Sequence, residues 1–197
     1  MKKKIIEYFN ELFPYPKMEL NYSNDYELLI AIVLSAQCTD KKVNKATEEL
    51  FKEEGLNNLK KILRPLGMSN KKEIYVREIT NYYKTNNEIP NNYNDLIKLK
   101  GVGRKTANLY LSIVNKEQRI AVDTHVNRVS KRLNIAKEND NLLIVEKRLY
   151  KFFKNEDFFK LHKQFVLFGR YKCKSQKPLC YDCKLQSICN YKKKYTN

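Results

Sequence analysis

The chain has no long apolar run. The longest unbroken stretch is Leu28 to Leu34, and a helix that crosses a bilayer needs about 20 consecutive apolar residues. That excludes a membrane span. The start, Met1-Lys-Lys-Lys-Ile-Ile-Glu, is basic, but no apolar stretch follows it, so it reads as a helix with a solvated first turn and not as a secretory signal. No segment sustains the period-two alternation of half-buried strands. There is also no low-complexity linker and no repeat. Acidic residues are scarce: 22 Asp and Glu stand against 39 Lys and Arg, a formal charge of +17. Such an excess points to a polyanionic partner, and nucleic acid is the commonest one. An AT-rich genome also inflates Lys, so charge alone does not establish the partner. With 42% hydrophobic and 12% aromatic residues among 197, the chain is not disordered and can bury a core as one domain or two small ones.

What is present repeats with a helical period. Asn24 followed by Glu27 resembles a capping box and opens an apolar segment, Tyr26 to Ala36, predicted as a buried central helix. Leu142, Val145, Leu149 and Phe152 recur at helical spacing. So do Phe158, Leu161, Phe165 and Phe168, after which Gly169 is expected to end the run. Turns are marked by Pro14 and Pro16, Gly55, Pro65-Leu-Gly67, Ile89-Pro and Pro178. The predicted fold class is all-α.

Four of the five cysteines, Cys173, Cys180, Cys183 and Cys189, fall within the last 25 residues in the pattern C-x6-C-x2-C-x5-C. Disulfides fit poorly in a chain with no mark of export, so the cluster reads as a ligand set for a metal or an iron–sulfur centre. Four thiolates with no histidine among them suit zinc or Fe–S, and spacing does not choose between the two. Cys38 stands in an apolar segment and is expected to be a small core residue.

A second motif is Lys100-Gly101-Val102-Gly103, with Arg104, Lys105 and Thr106 following. Two glycines around one apolar residue allow a tight turn with exposed N–H groups. At a helix N-terminus those donors seat a phosphate, while Val102 tucks between the two helices. This is a helix-hairpin-helix, a grip on a nucleic-acid backbone that does not depend on base sequence. A glycine-capped αα-hairpin is the simpler account, and a lone GxG would not rule it out.

Together with other stretches, the hairpin resembles the endonuclease III family of the helix-hairpin-helix superfamily, whose members are bifunctional DNA glycosylases and abasic-site lyases. The matching segments are Glu19-Leu-Asn-Tyr-Ser, Glu27-Leu-Leu-Ile-Ala, Leu34-Ser-Ala-Gln-Cys-Thr-Asp40, Val43-Asn-Lys-Ala-Thr47, Gly101-Val-Gly-Arg-Lys-Thr-Ala-Asn108, Ile120-Ala-Val-Asp-Thr-His125, and His162 through the cysteines to Tyr191. They cover nearly the whole chain. The family's loop has the same 6-2-5 cysteine spacing, and the resemblance therefore implies a [4Fe–4S] cluster on Cys173, Cys180, Cys183 and Cys189.

The resemblance also assigns roles. Lys105 matches the family's nucleophile, whose unprotonated amine attacks the sugar C1′; a helix N-terminus or an adjacent cation such as Arg104 favours that form. Asp123 matches the essential carboxylate, which stabilises the developing sugar cation or moves protons in the lyase steps. An N-cap on the helix carrying Arg128 and Arg132 accounts for the same aspartate, and both can hold. For His125 a packing or backbone-bonded role is expected. Gln37 corresponds to the residue that fills the gap left by an extruded base, and Met68 to an apolar wedge that is typically leucine. Gly101, Val102, Gly103 and Arg104 would hold the DNA backbone, and Lys174 and Lys177, with Lys172 and Lys184 beside them, would contact phosphates from the cysteine loop. Asp40 matches a position near the pocket. Lys100 replaces a usual proline, which is expected to loosen the hairpin and add a phosphate contact.

The implied architecture is a helical-barrel lobe over 18–118 containing the hairpin, and an iron–sulfur lobe from 1–17 and 119–197. DNA would lie in the groove between them, with Lys105 and Asp123 facing each other across it. The implied partner is duplex DNA with damaged bases or abasic sites, bound by a monomer away from membranes in a prokaryotic cytoplasm, with the nucleoid. The alternatives are a monofunctional mismatch glycosylase, whose relatives lack a lysine at 105, and a non-catalytic Fe–S or zinc DNA-binding protein.

Overall fold

The structure, a computed structural model, describes residues 1–191. Among them there are ten α-helices and no strand, which is the all-α class that the periodicity predicts. The helices are α1 (Lys2–Leu12), α2 (Asp25–Leu34), α3 (Asp40–Leu50), α4 (Leu59–Leu63), α5 (Ser69–Asn86), α6 (Tyr93–Leu96), α7 (Arg104–Val114), α8 (Thr124–Arg132), α9 (Leu142–Phe152) and α10 (Phe158–Leu167). No helix of the described residues is long and apolar enough to cross a membrane. The chain divides into two compact units, one continuous over Met18–Glu117 and one joining Met1–Lys17 to the residues from Gln118 onward.

In the continuous unit α2 is the centre. The Asn24 side chain accepts from the Glu27 N–H at 2.9 Å. The Glu27 carboxylate in turn accepts from the Ser23 N–H at 2.7 Å, one residue earlier than in a standard capping box. Every side chain from Leu28 to Leu34 is buried, so the helix has no wet face, and α3, α5 and α7 pack around it. Each aliphatic side chain buried in this way contributes about 1.5–3 kcal/mol. The helix stops at Leu34, short of the predicted Ala36, because the backbone turns there and Gln37 takes a left-handed φ of 55°. Cys38 follows in that turn and is half-buried, where a core position was expected. On the flank of α2, Tyr26 stacks on Tyr83 at 4.6 Å and shares a 2.8 Å hydrogen bond with Thr80.

In the other unit, α1, α8, α9 and α10 enclose a core of Ile5, Phe9, Val126, Val129, Val145, Leu149, Phe153, Leu161, Phe165 and Phe168. Phe9 meets Phe165 edge-on at 5.0 Å, and Phe153 meets Phe165 at 5.7 Å. The stripe predicted on α10 is buried throughout. The one on α9 is buried only in part. Leu142 is 54% exposed, and Phe153 fills the place expected of Phe152, because 145, 149 and 153 form a single i, i+4 row facing the core.

Gly169 does not end its helix. At Phe168, α10 passes into a π-helical turn, Phe168–Lys172, that delivers the chain to Cys173. A Cβ on Gly169 would come within 2.8 Å of the His125 Cβ and 3.3 Å of Arg128 Nη2. The glycine is there for close approach to α8, not for a stop.

Candidate active site and thiol cavity

The hairpin joins α6 to α7 within the continuous unit. Gly101 is at φ +85°, and a Cβ there would strike the Tyr75 ring at 2.5 Å, so this position requires glycine twice over. Val102 is buried, and its N–H donates to the Leu99 carbonyl at 3.0 Å. Gly103, the N-cap of α7, has extended backbone at φ −94°, and a Cβ on it would meet nothing within 4 Å. Neither conformation nor internal packing demands glycine here. The position faces open space, which leaves the backbone there accessible from outside.

Lys105 follows in the first turn of α7, exposed and without a hydrogen bond or ion pair among the described residues. Arg104 beside it lies over the Tyr93 ring at 5.8 Å. The hairpin is not loosened by Lys100. Glu78 accepts from the Lys100 N–H at 2.7 Å and from its ammonium at 3.0 Å, a clasp that a proline could not make because it has no N–H. Those bonds hold the Glu78 carboxyl below the ordinary carboxylate range, the backbone N–H being the largest cause.

Two more candidates from the sequence, Gln37 and Met68, are exposed in the same unit. Both are non-glycine residues in left-handed backbone, at φ 55° and 51°. Met68 is the N-cap of α5, following Gly67 at φ 67°. Residues of this type adopt that conformation at a cost of about 1–2 kcal/mol, and such strain clusters where side chains are aimed at a ligand. The helices that begin just after Gln37, Met68 and Gly103 are α3, α5 and α7, and none has a side-chain cap. Asp40 is the first residue of α3.

Asp123 belongs to the other unit. It caps α8, with Oδ1 accepting from the Val126 N–H at 2.7 Å. The simpler account of this aspartate is therefore realised, and its second oxygen takes no hydrogen bond among the described residues. His125 packs against Gly169, with Nδ1 3.2 Å from Arg128 Nη2. That is the packing role expected of it.

The cysteine loop is held by two arginines of α8 that the sequence reading left without a role at the site. Arg128 donates to the carbonyls of Gly169 at 2.7 Å and Cys173 at 3.2 Å. Arg132 donates to Cys173 Sγ at 3.3 Å, the Lys174 carbonyl at 2.6 Å and the Ser175 carbonyl at 3.1 Å, and lies over the Tyr191 ring at 3.8 Å. The four-residue spacing of the two arginines, one face of one helix, was the available signal.

All five cysteines are free thiols. Cys173, Cys180, Cys183 and Cys189 line one cavity together with Leu133, Phe168 and Leu185; its void, open mouth included, is about 390 Å³. Among the described residues no three Cys, His, Asp or Glu side chains converge closely enough for a single metal ion. The thiols stand around a space instead of meeting at a point. Burial pushes the Cys173 and Cys183 thiols up, with the Arg132 hydrogen bond pulling Cys173 partly back. Thiols bind a cation only as thiolates, so an occupant of this cavity would displace their protons to solvent.

The lysines of the loop are not equivalent. Lys172 pairs with Asp182, and Lys184 pairs with Glu11 at 2.6 Å. Lys174 and Lys177 are exposed without an ion pair among the described residues, Lys177 at a left-handed φ of 46°.

The profile of the HhH-GPD superfamily of base excision DNA repair proteins matches residues 30–155, well over half of the chain. Endonuclease III of Bacillus subtilis is 38% identical over 195 residues, 93% of this chain and 89% of that protein. Endonuclease III of Haemophilus influenzae is 41% identical over 202 residues, 97% of this chain and 95% of that protein. A solved structure described as a trapped endonuclease III–DNA covalent intermediate superposes with a TM-score of 0.89 at 39% identity, covering 96% of both chains.

Proposed function

Since the chain belongs to the HhH-GPD superfamily of base-excision DNA repair proteins, in its endonuclease III branch, we propose that it excises oxidised pyrimidines from duplex DNA and then cleaves the strand at the abasic site. The observation that carries this reading is the hairpin. It ends in a glycine with open space beside its backbone, and the next turn of helix presents an exposed lysine amine with no partner among the described residues.

The uncharged Lys105 amine attacks C1′ of the damaged nucleotide, and the C1′–N bond breaks as the base leaves with a proton. One amine proton goes with the base, and O4′ then takes up a proton as the sugar ring opens, leaving an iminium between Lys105 and C1′. Removal of a C2′ proton then expels the 3′ phosphate by β-elimination. Asp123, bound to the α8 cap through one oxygen, keeps the other for the positive charge that develops on the sugar. Gly101, Val102, Gly103 and Arg104 hold a phosphate in this reading, Gln37 and Met68 fill the stack after the base swings out, and Lys174 and Lys177 take further phosphates.

The continuous unit serves as the helical-barrel lobe and the other as the iron–sulfur lobe. The four thiols around an apolar cavity suit a multi-iron cluster better than a single zinc ion, and Cys173, Cys180, Cys183 and Cys189 would hold a [4Fe–4S] group. When bound, that group supplies structural cross-linking of the loop; no step of the excision passes through it. The protein works as a monomer on the DNA of a prokaryotic cytoplasm.

The test is borohydride trapping on a duplex containing thymine glycol, wild type against Lys105→Gln. A covalent adduct from wild type alone is the expected result. Base release without an adduct would assign the monofunctional chemistry, and binding without release would assign a non-catalytic role.

A further inference from the structure

The most deeply buried charge of the continuous unit has no part in the chemistry above. Lys72, in the first turn of α5, is 2% exposed in a protein whose lysines are otherwise mostly at the surface. Its Nζ donates to the Leu66 carbonyl at 3.0 Å, and Leu66 is the residue before Gly67 and Met68. Burial lowers the proton affinity of this amine.

One ammonium thus stands at the root of the turn that carries Met68, an exposed side chain on left-handed backbone. Left-handed non-glycine residues persist only where their surroundings hold them. A lysine is seldom buried unless something partners it, and the hydrogen bond of this ammonium among the described residues goes to Leu66. Stability alone would be served as well by an apolar side chain at this depth.

We propose that Lys72 is a positioning residue: by holding the Leu66 carbonyl, it fixes the turn that presents the wedge Met68, so that the wedge is already aimed when the base leaves the stack. This rests on the reading of Met68 given under the proposed function.

The test uses the full chain and a duplex carrying thymine glycol beside 2-aminopurine, whose fluorescence rises when stacking is lost. Lys72→Met keeps the apolar stem and removes the ammonium. Its extrusion rate is expected to fall about tenfold, as for Met68→Ala, while trapping on a pre-formed abasic site, where no base leaves the stack, changes by less than about twofold. Lys72→Gln, which keeps a donor for Leu66, is expected to recover part of the extrusion rate, and it replaces Lys72→Met if that variant fails to melt cooperatively.

An equal loss in both readouts overturns the positioning role in favour of a general packing role. Unchanged extrusion in Lys72→Met, or no recovery in Lys72→Gln, overturns it as well. A wild type that neither extrudes nor traps removes the functional reading, and this inference with it. An active wild type with normal extrusion by Met68→Ala removes the wedge assignment while leaving the glycosylase reading in place.

Discussion

The two hairpin glycines look alike in the sequence and differ in what they are for. Gly101→Ala forces a side chain into left-handed backbone and into the Tyr75 ring, so it is expected to lower unfolding free energy by about 1–3 kcal/mol. Gly103→Ala meets ordinary backbone and open space. Its stability should stay within about 0.5 kcal/mol of wild type, while affinity for an abasic-site duplex falls about tenfold. Denaturant titration and fluorescence anisotropy on the two variants check the pair, and equal affinities for Gly103→Ala and wild type would remove the close approach of DNA. Asp123 divides in the same way. Asn is as good an N-cap as Asp, so Asp123→Asn should keep the α8 cap and the melting temperature but lose excision by a factor of about 10² or more. Asp123→Ala should lose both, with about 1 kcal/mol of stability gone. An Asn variant as active as wild type would leave Asp123 as a cap only.

At the scale of elements, Gly169→Ala tests how the π-turn seats Cys173. The added Cβ lies 2.8 Å from the His125 Cβ, so the turn must lift from α8 at a cost of about 1–3 kcal/mol. The expected outcome is a lower melting temperature with loss of the iron that the proposed cluster would bring, read by metal analysis; iron content equal to wild type would show that the loop seats itself without this contact. The same elements mark how far the sequence could be read. Helix starts were legible because they are local: Asn24 and Glu27 announce α2 within four residues, and the α10 stripe needs only its own spacing. Gly169 was not legible, since a helix-ending glycine and a helix-packing glycine differ only in the neighbour across the gap, and His125 is far away in the chain. Exposed Leu142 and buried Phe153 fail for the same reason: spacing gives a face but not its limits. For the candidate site, Lys105 stood out through its motif and never through its residue type. Lys72 gave no signal, because only tertiary packing separates one buried lysine from the many at the surface.

At the scale of the molecule, the excess of 39 basic over 22 acidic residues is a field whose members are unequally available. Lys184 and Lys172 are engaged by Glu11 and Asp182, whereas Lys174 and Lys177 are not engaged. In a plot of log affinity against log salt, Lys174→Ala and Lys177→Ala should each reduce the slope by about 1, and Lys184→Ala should leave it nearly unchanged. Equal effects from all three would mean that the charges act only as a sum. The division of the chain has a further consequence. Ile5 and Phe9 of α1 share a core with Phe165 and Phe168, and the whole of Met18–Glu117 lies between them in sequence. During translation the continuous unit leaves the ribosome entire and can fold first, while α1 keeps its apolar face uncovered until α8, α9 and α10 have been made. The four thiols follow all ten helices in the order of synthesis. The cavity that they line can therefore form only after those helices have been made.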